Sequence, residues 1–419
     1  MFACYDVRYC VKNNLRGEAV MTRQTKRAIF ILVFSEFLVC LGISLVIPVM
    51  PFIKNELHLT ATDMGIMNAL FALAQFVASP IIGRVSDRIG RKPVLTAGLF
   101  LYMVSEFLFA LTNHLWMFNI SRLIGGLSAA MVVPTAMALA SDITTKRQRA
   151  KVIGWLSAAF SGGLILGPGI GGILAGISYK TPFWVAGTLG LISAIVLISL
   201  LPSDAETLAK TDLAAAETTE PAHHPMTRAF WTVPIIILFT MILVSSFGLQ
   251  GFESIYSIYV NEVFHFSLNN IALVLTLNGL ISLFLQVALF DTFVQRFGER
   301  RVIRVCFASA AVCTIWITQA HTKLEVMIAT LVIFSAFDLL RPAITTLLTK
   351  ASESNQGLIN GLNMSLTSVG NIVGPIMSGM LLDMNTHYPY MVVAVFLIVS
   401  YLMAFMLRDP RKSAKLGRQ

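Results

Sequence analysis

The sequence predicts an all-α polytopic membrane protein built from two homologous halves, and three observations carry the prediction. Hydrophobic residues make up 56% and charged residues 13% of 419 positions, with mean hydropathy +0.75, whereas soluble domains run near a quarter charged. Cutting the chain at charges and turn residues leaves twelve apolar segments, and a helical span of the bilayer needs about 20 apolar residues. The motif GPGIGG at 167–172 returns as GPIMSG at 374–379, 207 residues downstream.

The expected spans are 28–50, 64–83, 94–112, 116–140, 152–177, 182–201, 231–260, 270–293, 302–320, 324–349, 357–383 and 388–407. The first is too long for a cleavable signal peptide and lacks a small-residue cleavage pattern after it. Before it lies an extension, 1–22, with Cys4, Cys10 and scattered charges but no apolar periodicity, expected to be disordered; Met1 and Met21 are both candidate starts. Residues 23–201 form the expected first six-helix bundle and 231–408 the second. Between them, 202–230 is rich in Ala, Thr and Glu and reads as a linker with little order of its own. Residues 409–419 form a tail.

Between spans 2 and 3 stands GRVSDRIGRKP, 83–93. Gly83 and Gly90 allow a tight turn and close approach, and Asp87 can accept from helix amides or an arginine. Arg88, Arg91 and Lys92 suit anionic head groups. Span 5 carries Gly163, Gly167, Pro168, Gly169, Gly171 and Gly172, and span 11 answers with Gly374 and Pro375. A Gly-Pro pair inside a span interrupts backbone bonding and lets neighbours approach. Such pairs at corresponding places in two halves mark a transporter built from repeats. The remaining matches agree: Gly154 with Gly361, Gly163 with Gly370, Gly172 with Gly379, and, at offset 208, Pro134 with Pro342 and Gly90 with Gly298. The Pro-containing helices are expected to meet the other half, span 5 on span 8 and span 11 on span 2.

Charge placement sets the orientation. With the N-terminus inside, 26 of the 31 Lys and Arg fall on inside segments, and only Lys54, Lys180 and Lys323 fall on outside loops. The positive-inside rule therefore places both termini in the cytoplasm and explains the net charge of +9 without nucleic-acid binding. His223 and His224 have no further ligand nearby, the five cysteines lack metal-site spacing, and no metal is expected. No HExxH, nucleophile elbow or phosphate loop occurs, so an enzyme is not expected. Without a nucleotide site, transport has to draw on an ion gradient.

Two arginines lie within spans, where exposure to lipid costs on the order of 2.5 to 3.5 kcal/mol. Arg122 lies early in span 4 with no neighbour on its own helix; Arg341 lies in span 10, three residues after Asp338, which shares its face and can pair with it. The buried acids are Glu36, Glu106, Glu253 and Asp338. Glu253 is flanked by Gln250, Tyr256 and Ser257 at spacings of three and four, a face suited to a cavity wall. Because burial disfavours a charged carboxylate, an acid on such a wall can take up and release a proton. Glu253, Asp338, Arg341, Arg122, Glu36 and Glu106 are the candidate proton-coupling residues. Glu253, Gln250, Phe252, Tyr256, Phe247, Asp338 and Phe337 are the candidate substrate contacts.

The chain resembles the twelve-span drug:proton antiporters of the major facilitator superfamily, of the NorA/Bmr type of multidrug efflux pump. The resemblance rests on LGISLVIPVMP in span 1, GRVSDRIGRK after span 2, SRLIGG in span 4, GPGIGG in span 5, FESIYSIY in span 7 and FDLLRPAIT in span 10. It implies a major facilitator fold, two pseudo-symmetric six-helix bundles around a central cavity that opens alternately to each side. It implies efflux of diverse lipophilic, often cationic drugs across the cell membrane, driven by the proton gradient, by a monomer without a cofactor. Glu253 and Asp338 become its essential acids, Arg122 the relay arginine, Asp87 and its loop a cytoplasmic latch, and 167–172 the antiporter bend. Glu36 departs from the pattern, since that position is apolar in the relatives of this type. The alternative is a facilitator of the same superfamily moving a single metabolite.

Overall fold

The computed structural model describes residues 23–201, 233–351 and 356–406. The expectations for the extension, the linker and the tail fall outside these. Every spanning element is helical, as a bilayer demands of backbone that must satisfy its own hydrogen bonds. Span 1 is a helix, Arg23–Leu45, that tightens to a 3-10 turn at Ile47–Val49, where Pro48 removes a donor, and resumes over Met50–Glu56. Spans 2 to 6 are Ala61–Ile89, Arg91–Leu111, Leu115–Asp142, Lys146–Ala175 and Thr181–Leu200. Span 7 is Val233–Phe264. Span 8 runs Leu268–Phe284, passes a π turn at Leu285–Leu289 and ends as Phe290–Phe297. Spans 9 to 12 are Glu299–Gln319, Lys323–Ala351, Gln356–Met384 and Tyr388–Met406. By length and composition, eleven helices among the described residues can cross a membrane. Lys323–Ala351, 29 residues with Asp338 and Arg341 within it, stands in the place of the expected tenth span.

Backbone geometry repeats between the halves. Gly90 and Gly298, 208 apart, both take positive φ (99° and 78°) at the corners before spans 3 and 9, a conformation glycine adopts without a Cβ penalty. His58 and His265, 207 apart, are the only described non-glycine residues with positive φ, 51° and 52°. Two residues after each, Thr60 and Ser267 accept from the backbone amides of Asp63 and Asn270 and so cap spans 2 and 8. This second corner, a His followed by an apolar residue and a hydroxyl cap, is not among the features expected from the sequence.

The halves meet through span 2 on span 11 and span 5 on span 8, as expected from the Gly-Pro pairs. Contact is close at the end opposite to where spans 1 and 7 begin. There a Cβ on Gly379 would lie 2.5 Å from the Ala61 carbonyl oxygen, and one on Gly172 2.6 Å from the Ala272 Cβ. One on Gly65 would collide with the Pro375 carbonyl. At the other end, the one carrying the basic loop, a Cβ on Gly83, Gly154 or Gly361 meets nothing within 4 Å. The bundle is closed at one end and splayed at the basic end.

Candidate functional site

Splaying leaves a cavity of about 670 Å³ between the halves, running from mid-membrane toward the basic end. The first half contributes an almost apolar wall: Ile47 of span 1 and Phe160, Leu164, Ile165 and Pro168 of span 5, with Ser161 alone polar. Nearly all polar lining comes from the second half. Span 7 supplies Glu253, span 10 Asp338, Arg341 and Thr345, span 11 Asn363, and span 8 Asn278, Ser282 and Gln286.

Asp338 is close enough to Glu253 to act on it electrostatically, and Ser282 stands beside Asp338. The Gln286 side-chain amide donates to Ser282 Oγ at 3.0 Å, while Asn278 Oδ1 has no protein partner. Span 8 thus lays a polar stripe along the cavity, immediately before and into its π turn. π turns inside helices occur frequently at functional sites.

Several of the expected substrate contacts lie elsewhere. Phe337 lines the cavity, but Phe252 and Tyr256 do not. Both are fully buried, Phe252 against Phe334 and Tyr390 with ring centroids 5.3 and 4.9 Å apart, and Tyr256 against Phe334 at 5.8 Å. Phe247 packs edge-on against Phe396, and Gln250 lies against Gly374 of span 11; neither lines this cavity. The physical reason is rotation about span 7: the cavity face runs through Leu249 and Glu253, four residues apart, while positions 252 and 256 turn inward.

Asp338 and Arg341 line the same cavity but form no ion pair among the described residues, so the expected pair is absent. Arg341 is exposed, one turn nearer the open end, where water can solvate its guanidinium.

Arg122 is satisfied from the neighbouring helix. Its Nη2 stands 3.3 Å from Glu106 Oε1 of span 3, both side chains buried, and its guanidinium lies 4.8 Å over the Phe109 ring. Phe118 and Phe183 stack on Phe109 at 4.2 Å each, closing the pair off. Glu36 is 2% exposed; its Oε1 lies 3.9 Å from Cys40 Sγ and its Oε2 has no partner. None of these three lines the cavity.

The glycines of span 5 divide between two faces. Gly163, Gly167 and Gly171 seat span 5 on span 1 of its own half: Cβ atoms there would meet the Leu41 amide at 2.6 Å, Ser44, and the Leu45 carbonyl. Ser44 Oγ donates to the Gly163 carbonyl at 2.9 Å. Gly172 and Gly169 face span 8, at Ala272 and Thr276. Gly171, expected against the other half, thus faces span 1, because positions four apart share one helix face. Span 11 does likewise, with Gly370 and Gly374 against span 7 and Pro375 against span 2.

The segment 83–92, expected as a loop, is instead the last turns of span 2 and the start of span 3, hinged at Gly90 alone, and it knits the first half together. Arg91 Nη1 lies 2.6 Å from Asp87 and its Nε 3.0 Å from Asp142 at the end of span 4, while Lys92 Nζ donates to the carbonyls of Ile198 and Leu201 at the end of span 6. Arg88 is exposed. The opposite end carries bonds between halves. Lys54 Nζ meets Glu262 Oε1 at 2.5 Å, and Asn55 donates to Asn261 at 3.1 Å. Asp383 of span 11 accepts from the Ala61 and Thr62 amides at 2.8 Å each, capping span 2 from across the interface.

Comparison with known proteins agrees with this architecture. The family model of the Major Facilitator Superfamily matches residues 32–290 and 238–419. Multidrug resistance protein 1 of Bacillus subtilis is 39% identical over 380 residues, covering 91% of this chain and 96% of its own. The quinolone resistance protein NorA of Staphylococcus aureus is 37% identical over 395 residues, covering 94% and 99%. Among solved structures, a bacterial homolog of the human lysosomal transporter Spinster superposes with TM-score 0.74 at 15% identity, covering 92% of this chain and 97% of that one. The nucleoside transporter NupG gives 0.74 at 13%, covering 92% and 100%. Helical bundles duplicated about a shared cavity, and relatives aligned along almost their whole length, lead to one conclusion: this multi-pass membrane protein belongs to the major facilitator superfamily.

Proposed function

We propose that the protein exports structurally diverse lipophilic, often cationic drugs across the cell membrane in exchange for protons, by alternating access. The observation that carries this is the division of the cavity: an apolar wall from the first half faces two carboxylates, Glu253 and Asp338, from the second. A flat or flexible apolar body gains contact on the first wall without directional bonds, which tolerates many shapes. The carboxylates select for positive charge, since attraction between unit charges 4 Å apart is about 4 kcal/mol at an effective dielectric of 20.

A proton and a cationic drug neutralise the same carboxylates and therefore compete. A proton arriving from the outer side releases the drug there, and loss of that proton toward the inner side restores the site. The relatives named for multidrug and quinolone resistance support this reading. The basic end is the cytoplasmic end by the positive-inside rule, so the splayed cavity receives its load from inside the cell. Glu106 and Arg122, sealed within the first bundle, hold spans 3 and 4 in register; the helix end around Asp87 latches the cytoplasmic side once it closes.

The test is proton flux in vesicles reconstituted with the purified protein, with and without a lipophilic cation such as a quaternary phosphonium. Dissipation of an imposed pH gradient upon adding the cation supports antiport. Flux indifferent to cations but triggered by one metabolite supports the single-substrate facilitator instead.

A further inference from the structure

At the basic end of the second half, spans 8, 9 and 10 enclose a second pocket of about 450 Å³ that shares no lining residue with the transport cavity. Phe293 and Phe297 of span 8, Val302 and Cys306 of span 9 and Leu339 of span 10 line it, and the exposed wall is wholly apolar. Arg301 and Arg304 also line it, so their methylene stems lie along the wall while their heads reach outward.

Among the described residues, no carboxylate pairs with Arg301 or Arg304. Arg304 is turned toward span 12, its Nε donating to the Ala404 carbonyl at 3.2 Å and its guanidinium 4.5 Å over Phe405. Arg296 lies over the Phe297 ring at 6.0 Å. Glu299, the acid that opens span 9, is engaged by Lys350. Arg301 has no ion-pair or hydrogen-bond partner among the described residues. Arg301 and Arg304 sit within the first two turns of span 9, at the depth of lipid head groups. The corner itself does not require them. In the first half, Pro93 and Thr96 stand 208 positions before Arg301 and Arg304.

We propose that this pocket binds an anionic phospholipid of the leaflet at the basic end, one acyl chain filling the apolar cleft and the phosphate resting on Arg301. A neutral lipid gains the chain contact without the charge, and a lipophilic cation is repelled by the same arginines. The site lies behind the transport machinery: Leu339 in its lining directly follows Asp338 in span 10.

Native mass spectrometry of the full chain in detergent, titrated with phosphatidylglycerol or phosphatidylcholine of identical chains, reads the preference without any transport assay. Phosphatidylglycerol should bind roughly fivefold tighter, as one basic residue near a surface gives. Arg301→Gln should bring the ratio near one, and Arg301→Lys should keep most of it, which separates charge from misfolding. Val305→Trp, at the exposed rim, should weaken both lipids together. A preference unchanged in Arg301→Gln, equal binding of the two lipids by the unaltered chain, or displacement of phosphatidylglycerol by millimolar inorganic phosphate would each overturn the proposal.

Discussion

Gly172→Leu tests how the closed end is held. A Cβ at Gly172 would lie 2.6 Å from the Ala272 Cβ of span 8 and 3.5 Å from Leu268 Cδ2. Carbon atoms rest about 3.5 to 4.0 Å apart, so spans 5 and 8 have to separate by about 1 Å even for the first added carbon. Overpacking of this kind costs about 1–3 kcal/mol. The cost falls only on the state in which these helices touch, so the balance moves toward the alternate state roughly 5- to 150-fold, at 1.4 kcal/mol per factor of ten. Gly171→Leu is the control, because its side chain would enter the Leu45 carbonyl within the same half. Amide hydrogen exchange over 43–62 and 261–272 reads the difference. Gly172→Leu should speed exchange there with the thermal midpoint nearly kept, and drug efflux should fall while binding survives. Gly171→Leu should lower the midpoint without selective opening. Equal exchange in Gly172→Leu and the parent, with unchanged efflux, would refute the gating role of this contact.

Three further outcomes are expected. Glu253→Gln keeps the shape of the side chain but cannot carry a proton, so expression should persist while pH-driven efflux falls to background; full resistance in cells would remove Glu253 from the mechanism. Glu106→Gln strands the buried Arg122 charge and should cost about 3–5 kcal/mol of stability. Adding Arg122→Gln should recover much of it in thermal unfolding, and a second loss that merely adds would show the two residues act independently. Lys54→Glu places two acids together across the interface at the closed end and should open that end. The swap Lys54→Glu with Glu262→Lys should restore closure, and a double-mutant cycle should return about 1 kcal/mol, the partly exposed pair being screened.

The fold was legible because the bilayer allows one solution to long apolar segments, and because glycine and proline record backbone approach directly. The pairing of span 5 with span 8 and span 11 with span 2 followed from those residues. Facing was harder to read. Glu253 has polar or aromatic neighbours at −3, +3 and +4, and nothing in one helix alone says whether the face at −4 or at +3 meets the cavity; the partners Phe334 and Tyr390 on spans 10 and 12 decide it. The span 8 stripe had a signal that went unused, since Asn278, Ser282 and Gln286 recur every four residues in an otherwise apolar segment. The Glu106–Arg122 pair was also within reach. Opposite lone charges at similar depths on either side of the short loop 112–114 are brought together by an antiparallel helix pair.

The seal at the closed end has a geometry whose consequence is practical. Positions 54 and 261 are equivalent in the two halves, as are 55 and 262, and the bonds run crosswise, 54 to 262 and 55 to 261. This is the contact scheme of a two-fold symmetric dimer, in which residue i meets j and j meets i, retained inside one chain. Perfect symmetry would make the two rungs identical, yet one is Lys-Glu and the other Asn-Asn. The lock thus carries an ion pair on one rung and a neutral hydrogen bond on the other. Completing it by Asn55→Glu with Asn261→Lys copies the existing rung through the axis and supplies a second ion pair without altering the cavity. The pseudo-symmetry of an ancient duplication thereby becomes a design rule: a transporter of this build can be trapped closed at the end opposite the basic one by writing one half's chemistry into the other.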